Sequence, residues 1–173
     1  MVTALKVIET DRLTLRHLTP DDAEFIFALL NDPAFLRFIG DKGVRTLEDA
    51  RKYITNGPMK MYARLGFGLY LVELKDGGIS IGLCGLIKRD GLDDVDIGFA
   101  FLPEYRTKGY AYEAASATMA YGKDALGLKR IVAITSPDNE ASGKLLEKLG
   151  LRFEQMLKLS EDAEEVRLFV ANT

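Results

Sequence analysis

Arg106, Gly109 and Ala111 are spaced within the hexapeptide Arg106-Thr107-Lys108-Gly109-Tyr110-Ala111, which follows an apolar run at 96–102 and a Pro103-Glu104-Tyr105 turn. Small residues, Ala111 and then Ala114-Ala115, carry on from it as the start of a helix. This arrangement suits the grip of a phosphorylated carrier by main-chain amides. The first four N–H groups of a helix have no partner inside it, so they can point at an anion. The helix dipole adds roughly 0.3–1 kcal/mol of attraction for negative charge at that end. Gly109 lets the main chain approach a ligand with no Cβ in the way. Arg106 and Lys108 bring positive charge to the same turn. Two other glycine loops are set aside. The triphosphatase loop needs G-x-x-x-x-G-K-[ST], and the dinucleotide turn needs three glycines where this one offers a single glycine.

Other side chains could move a proton or form a bond. Asp96 heads the apolar run beside Val95. Desolvation there would raise its pKa towards the range of a general base, whereas a solvated strand end would leave it ordinary. Cys84, the single cysteine, lies among Leu83, Leu86 and Ile87 and reads as core, because a covalent route needs an adjacent base. His17, the single histidine, reads as an exposed residue at the end of the first strand. Glu161 and Glu164 belong to an acidic turn that is either solvated or a site for a cationic group. Phe35, Phe38, Tyr62 and Phe67 line an acceptor groove or fill the core. No His, Asp and Glu set has metal spacing, so no metal is predicted.

The elements that must hold these residues fit a single domain over 1–173, long enough to bury a sizeable core. A net charge of −3 argues against a nucleic-acid partner, which calls for a basic face. The absence of an apolar run near eighteen residues, and of a charged-then-apolar leader, gives the expectation of a cytoplasmic protein with no membrane contact.

Leu13 and Leu15 alternate with polar neighbours as a half-buried first strand. Thr19-Pro20 opens a helix ended by Asn31-Asp32-Pro33, and Thr46 opens a second that breaks at Gly57-Pro58. Residues 67–74 and 80–87 read as a hairpin around Asp76-Gly77-Gly78. The central strand, a helix at about 109–126, a strand at 130–135, a helix at 139–149 and a closing strand pair complete the order. The fold class is α/β: one mixed, mostly antiparallel twisted sheet of about 6–7 strands flanked by helices.

Arg106-x-x-Gly109-x-Ala111 after a strand resembles the acyl-CoA pyrophosphate loop of the GNAT N-acetyltransferases. The likeness spans nearly the whole chain and is nearest the RimJ/RimL-like ribosomal-protein type. Thr10-Asp11-Arg12-Leu13 resembles that type's opening strand, Asp96-Ile97-Gly98-Phe99 its central strand, and Asn139-Glu140-Ala141-Ser142 its second carrier-contacting helix. The resemblance implies acetyl-CoA as co-substrate, an amine acceptor (a protein N-terminus or a small molecule), and a monomer or homodimer.

It also implies roles for particular residues. Amides from Arg106, Thr107, Lys108, Gly109, Tyr110 and Ala111 would hold the pyrophosphate. Main-chain groups of Phe99 and Phe101 would run beside the pantetheine arm where two central strands splay apart, the amide near Phe101 facing the thioester oxygen. Asn139 would bond the carrier or a water, and Ser142 would lie near its thiol. Asp96 would be the base, acting directly or through water. One departure stands out: where many relatives carry a thiolate-protonating tyrosine, this chain has Leu146. That leaves Ser142, a water or the final hairpin as the acid. It also leaves open a different class of function, a non-catalytic acyl-CoA sensor.

Overall fold

The computed structural model describes residues 4–173. One sheet of eight strands runs in the order β1 (Lys6–Glu9), β2 (Leu13–Arg16), β3 (Leu69–Leu74), β4 (Ser80–Ile87), β5 (Val95–Phe101), β6 (Arg130–Thr135), β8 (Val166–Asn172), β7 (Arg152–Leu157). Every neighbouring pair is antiparallel except β5 and β6. The short edge strand β1 lies outside the strands expected from the sequence. β2 departs from the expected alternation, since Leu13, Thr14 and Leu15 are all buried. A strand between two others, covered on both faces, loses the alternation of a half-solvated one.

Six helices flank the sheet: α1 (Ala23–Leu30), α2 (Pro33–Phe38), α3 (Leu47–Asn56), α4 (Pro58–Leu65), α5 (Tyr110–Asp124) and α6 (Glu140–Lys148). Thr19 and Asp22 form a reciprocal capping box around one 3-10 turn, Pro20–Asp22, and α1 begins directly after it. Thr46 caps α3 through the Asp49 amide, and Gly66 ends α4 in the left-handed region.

The sheet separates two main cores. Leu13, Leu15, Cys84, Leu86, Ile97 and Phe101 pack with α5 and with Leu146 of α6. Leu71 and Leu83 pack with Ile26, Leu29, Ala50 and Ile54 of α1 and α3. Ala114, Thr118 and Gly122, one turn apart, are the buried stripe of α5. A Cβ on Gly122 would sit 2.9 Å from the terminal methyls of Leu86 and Ile131, so the glycine lets the helix lie close to the sheet without moving those side chains. This packing sets the N-terminus of α5 beside the end of β5. No helix among the described residues is long and apolar enough to cross a membrane.

Candidate active site

β5 and β6 pair only at Val95↔Ile131 and Asp96↔Val132. Beyond Asp96 the two strands part, while β5 stays paired to β4 as far as Gly82↔Phe101. The Leu102 amide donates to the Ile81 carbonyl at 3.0 Å. Main-chain groups alternate between the edges of a strand, so those of Gly98 and Ala100 face β4 and those of Phe99 and Phe101 face the open side. The Arg106 Nε, donating to the Phe101 carbonyl at 3.0 Å, agrees with that direction. The Phe99 amide and carbonyl and the Phe101 amide thus line a wedge with no strand opposite.

At the mouth of the wedge a 3-10 turn, Pro103–Tyr105, leads into the loop. Thr107 has φ 63° and Gly109 φ 84°, both in the left-handed region. For threonine this costs on the order of 1–3 kcal/mol, a strain typical of ligand clamps. Gly109 is the N-cap of α5 and supplies no side-chain cap. The first helical bond runs from the Glu113 amide to the Gly109 carbonyl at 3.0 Å. The amides of Tyr110, Ala111 and Tyr112 therefore come before any internal partner. Thr107, Lys108 and Gly109 are exposed, so the loop faces solvent.

The charge at the loop differs from the expectation in two ways. Arg106 does not offer its guanidinium to the loop: Nη2 meets Asp32 Oδ2 at 2.6 Å, and Nε is engaged by Phe101. What remains is its main chain. Arg12, by contrast, reaches the loop although its place in the sequence does not suggest it. Its Nη1 donates to the Lys108 carbonyl at 3.3 Å, and its guanidinium lies 4.4 Å from the centre of the Tyr110 ring.

Asp96 is fully buried, not a solvated strand end. Arg89 closes on it, with Nη2 3.1 Å from Oδ2 and Nε 3.3 and 3.1 Å from Oδ1 and Oδ2. Burial pushes the carboxyl above its usual range, and the Arg89 charge opposes but does not cancel that push. Asp96 is paired across the ladder with Ile87, so both side chains share the sheet face on which α1 and α3 pack. On that face a cavity of about 180 Å³ is lined by Tyr53, Pro58, Met61, Leu69, Ile87 and Arg89.

At the far side of the wedge, Asn139 caps α6, its Oδ1 accepting from the Ser142 amide at 3.2 Å. Arg167 fixes that corner through Thr135 Oγ1 at 3.1 Å and the Asn139 carbonyl at 2.8 Å. Ser142 is half-buried in the first turn of α6. Leu146, which leaves the acid to Ser142, a water or the final hairpin, is buried core.

The remaining candidates resolve simply. Burial pushes the Cys84 thiol up to about 12, and its Sγ rests 3.4 Å from Thr118 Oγ1, so it is inert core. His17 is not exposed: it is half-buried and stacks on Tyr62 at 3.9 Å, and burial lowers its pKa. Phe35 is core, and Glu161 and Glu164 are exposed.

The family model for an acetyltransferase (GNAT) domain matches residues 12–152. The chain is 34% identical to the uncharacterized N-acetyltransferase YoaA of Bacillus subtilis, over 88% of this chain and 86% of that one. A GNAT-family acetyltransferase structure from Bacillus anthracis superposes with a TM-score of 0.78 at 29% identity, covering 95% of this chain and 97% of the other. RimL, a ribosomal L7/L12 α-N-protein acetyltransferase in complex with coenzyme A, shares the fold with a TM-score of 0.81 at 18% identity, over 96% and 97%. The parted central strands, the uncapped helix behind a glycine turn and these likenesses lead to one statement: the chain belongs to the GNAT family and is an acetyl-CoA-dependent N-acetyltransferase.

Proposed function

We propose that the wedge between β5 and β6 receives the pantetheine arm of acetyl-CoA, and that the acceptor amine enters from the Arg89 side. One observation carries this reading: a single strand, β5, presents free main-chain groups at Phe99 and Phe101 and a buried carboxylate at Asp96. Pantetheine is peptide-like, and its amides satisfy groups that a neighbouring strand would otherwise pair. The pyrophosphate then rests on amides from Arg106 to Ala111, where the dipole of α5 and Lys108 favour negative charge. Asn139 and Ser142 face the thiol end of the arm.

The acceptor is a primary amine, a protein N-terminus or a small molecule. An alkyl ammonium holds its proton near neutral pH and must lose one before it attacks. Asp96, raised by burial, takes that proton directly or through a water. The nitrogen bonds to the acetyl carbon, the Phe101 amide meets the charge developing on the carbonyl oxygen, and the C–S bond breaks. The nitrogen, positively charged once bonded, gives up its second proton as the amide forms, and that proton reaches the departing thiolate through a water or the Ser142 hydroxyl, which passes one proton on as it takes another. The apolar cavity beside Arg89 holds the body of the acceptor.

Release of free thiol from acetyl-CoA, measured against a panel of N-terminal peptides, polyamines and other primary amines, tests the proposal. Turnover that depends on an amine supports it. Tight carrier binding with no turnover on any amine would instead leave a carrier-binding module.

A further inference from the structure

The carrier loop as read above contains an electrostatic contradiction. Glu113 lies in the first turn of α5, where a carboxylate favours the helix but repels the anion proposed to bind there. Arg12 answers it from the residue just before β2, 101 residues away. Its Nε meets Glu113 Oε1 at 2.7 Å, and its own amide donates to Oε2 at 3.0 Å. The Thr10 hydroxyl donates to the same Oε2 at 2.5 Å. Burial works to raise the Glu113 carboxyl, but these three donors hold it below its usual range, so it is charged. The rest of the Arg12 side chain is turned to the loop. Nη1 holds the Lys108 carbonyl, the guanidinium lies over Tyr110, and Nη2 is 3.3 Å from where a Cβ on Gly109 would be.

We propose that Arg12 is a positioning residue for acetyl-CoA: it neutralises Glu113 and fixes the main chain of Lys108, Gly109 and Tyr110 so that the amides beyond them can accept the pyrophosphate. The inference rests on the pyrophosphate site proposed above. Arg12 makes two contributions, and they are separable. One is charge, which lysine would keep. The other is a planar fork that reaches a carboxylate and a carbonyl together, which lysine would lose.

The test is the acetyl-CoA dissociation constant by titration calorimetry, with the melting temperature of each ligand-free protein recorded alongside. Arg12→Gln is expected to bind on the order of tenfold more weakly, because it leaves the Glu113 charge beside the anion. The double variant Arg12→Gln, Glu113→Gln should recover most of that loss, and Arg12→Lys should lose less than Arg12→Gln. The deficit of Arg12→Gln should narrow as salt rises from 0.05 to about 0.5 M, because surface charge is screened. In steady-state kinetics the loss in Arg12→Gln should appear as a raised KM for acetyl-CoA.

Arg12→Gln binding as tightly as wild type overturns the proposal. So does a double variant no better than the single one, which would mean that the contacts act mechanically and not by charge. If Arg12→Gln does not fold, Glu113→Gln alone decides: it should bind at least as tightly as wild type, and weaker binding contradicts the proposal. Failure of the wild type to bind acetyl-CoA would instead sink the carrier site itself.

Discussion

Arg89 holds Asp96 through three nitrogen–oxygen contacts of 3.1–3.3 Å, and the carboxylate it holds is almost wholly removed from solvent. Two opposing effects act on one group. Desolvation favours the protonated acid, and the guanidinium favours the anion. The first prevails, so Asp96 titrates above an ordinary aspartate.

That balance predicts a pH profile. A base works only when deprotonated, so the acidic limb of kcat/KM should lie above the ordinary aspartate value and disappear in Asp96→Asn. Asp96→Asn should lose about 10²–10⁴-fold in turnover with acetyl-CoA affinity unchanged. Arg89→Gln removes the opposing charge, so the limb should move further to alkaline pH. A limb that stays put would show that Arg89 does not tune this group. The sign for stability is fixed by the same shift. A folded-state pKa above the unfolded one contributes stability that is fully present below the unfolded value and lost as pH rises through the folded value. Denaturation of Asp96→Asn should lack that loss.

At Gly109 the main chain is left-handed, with φ 84°, and the loop is exposed. Gly109→Asp adds strain and a negative charge in front of the amides of α5. Its affinity for acetyl-CoA should fall at least tenfold while the protein still melts cooperatively, the fall being read by calorimetry. Unchanged affinity would remove this loop from the carrier site.

Thr107 is the single non-glycine residue with positive φ among the described residues, at 63°. Asparagine tolerates that conformation better than a β-branched side chain. Thr107→Asn should therefore raise unfolding stability by about 1 kcal/mol in urea titrations. No gain would show that the loop carries no such strain.

Tyr70 sits at the end of a stack with Tyr62, their ring centroids 5.6 Å apart, and its buried hydroxyl has no hydrogen-bond partner among the described residues. Tyr70→Phe keeps the ring and removes the unpaired oxygen. Stability should rise by about 1 kcal/mol, measured the same way, and a loss would reveal a partner for the hydroxyl.

Local signals in the sequence were enough to locate the start of α5 behind Gly109, the helix starts at Thr19 and Thr46, and the turn at Asp76. Each of these depends on residues a few positions apart, where a missing Cβ or a capping side chain acts directly on the chain. Long-range partners were not visible. Arg106 meets Asp32 across 74 residues and Arg12 meets Glu113 across 101, and nothing in the spacing of either pair announces it. The same holds for His17, whose half-burial comes from Tyr62 closing over it. Asp96 falls between these cases: its place on the central strand was legible, but Arg89 reaches it only because the turn after β4 brings the two side chains to one face.

The central claim is that acetyl-CoA lies in the wedge beside Phe99 and Phe101 with its pyrophosphate on the turn before α5. A crystal structure of the protein with acetyl-CoA tests it most directly. The account predicts phosphate oxygens about 3 Å from main-chain amides between Arg106 and Ala111, and pantetheine amides at similar distance from the Phe99 main chain. A carrier bound at any other surface, with the wedge empty and the turn unliganded, would contradict it.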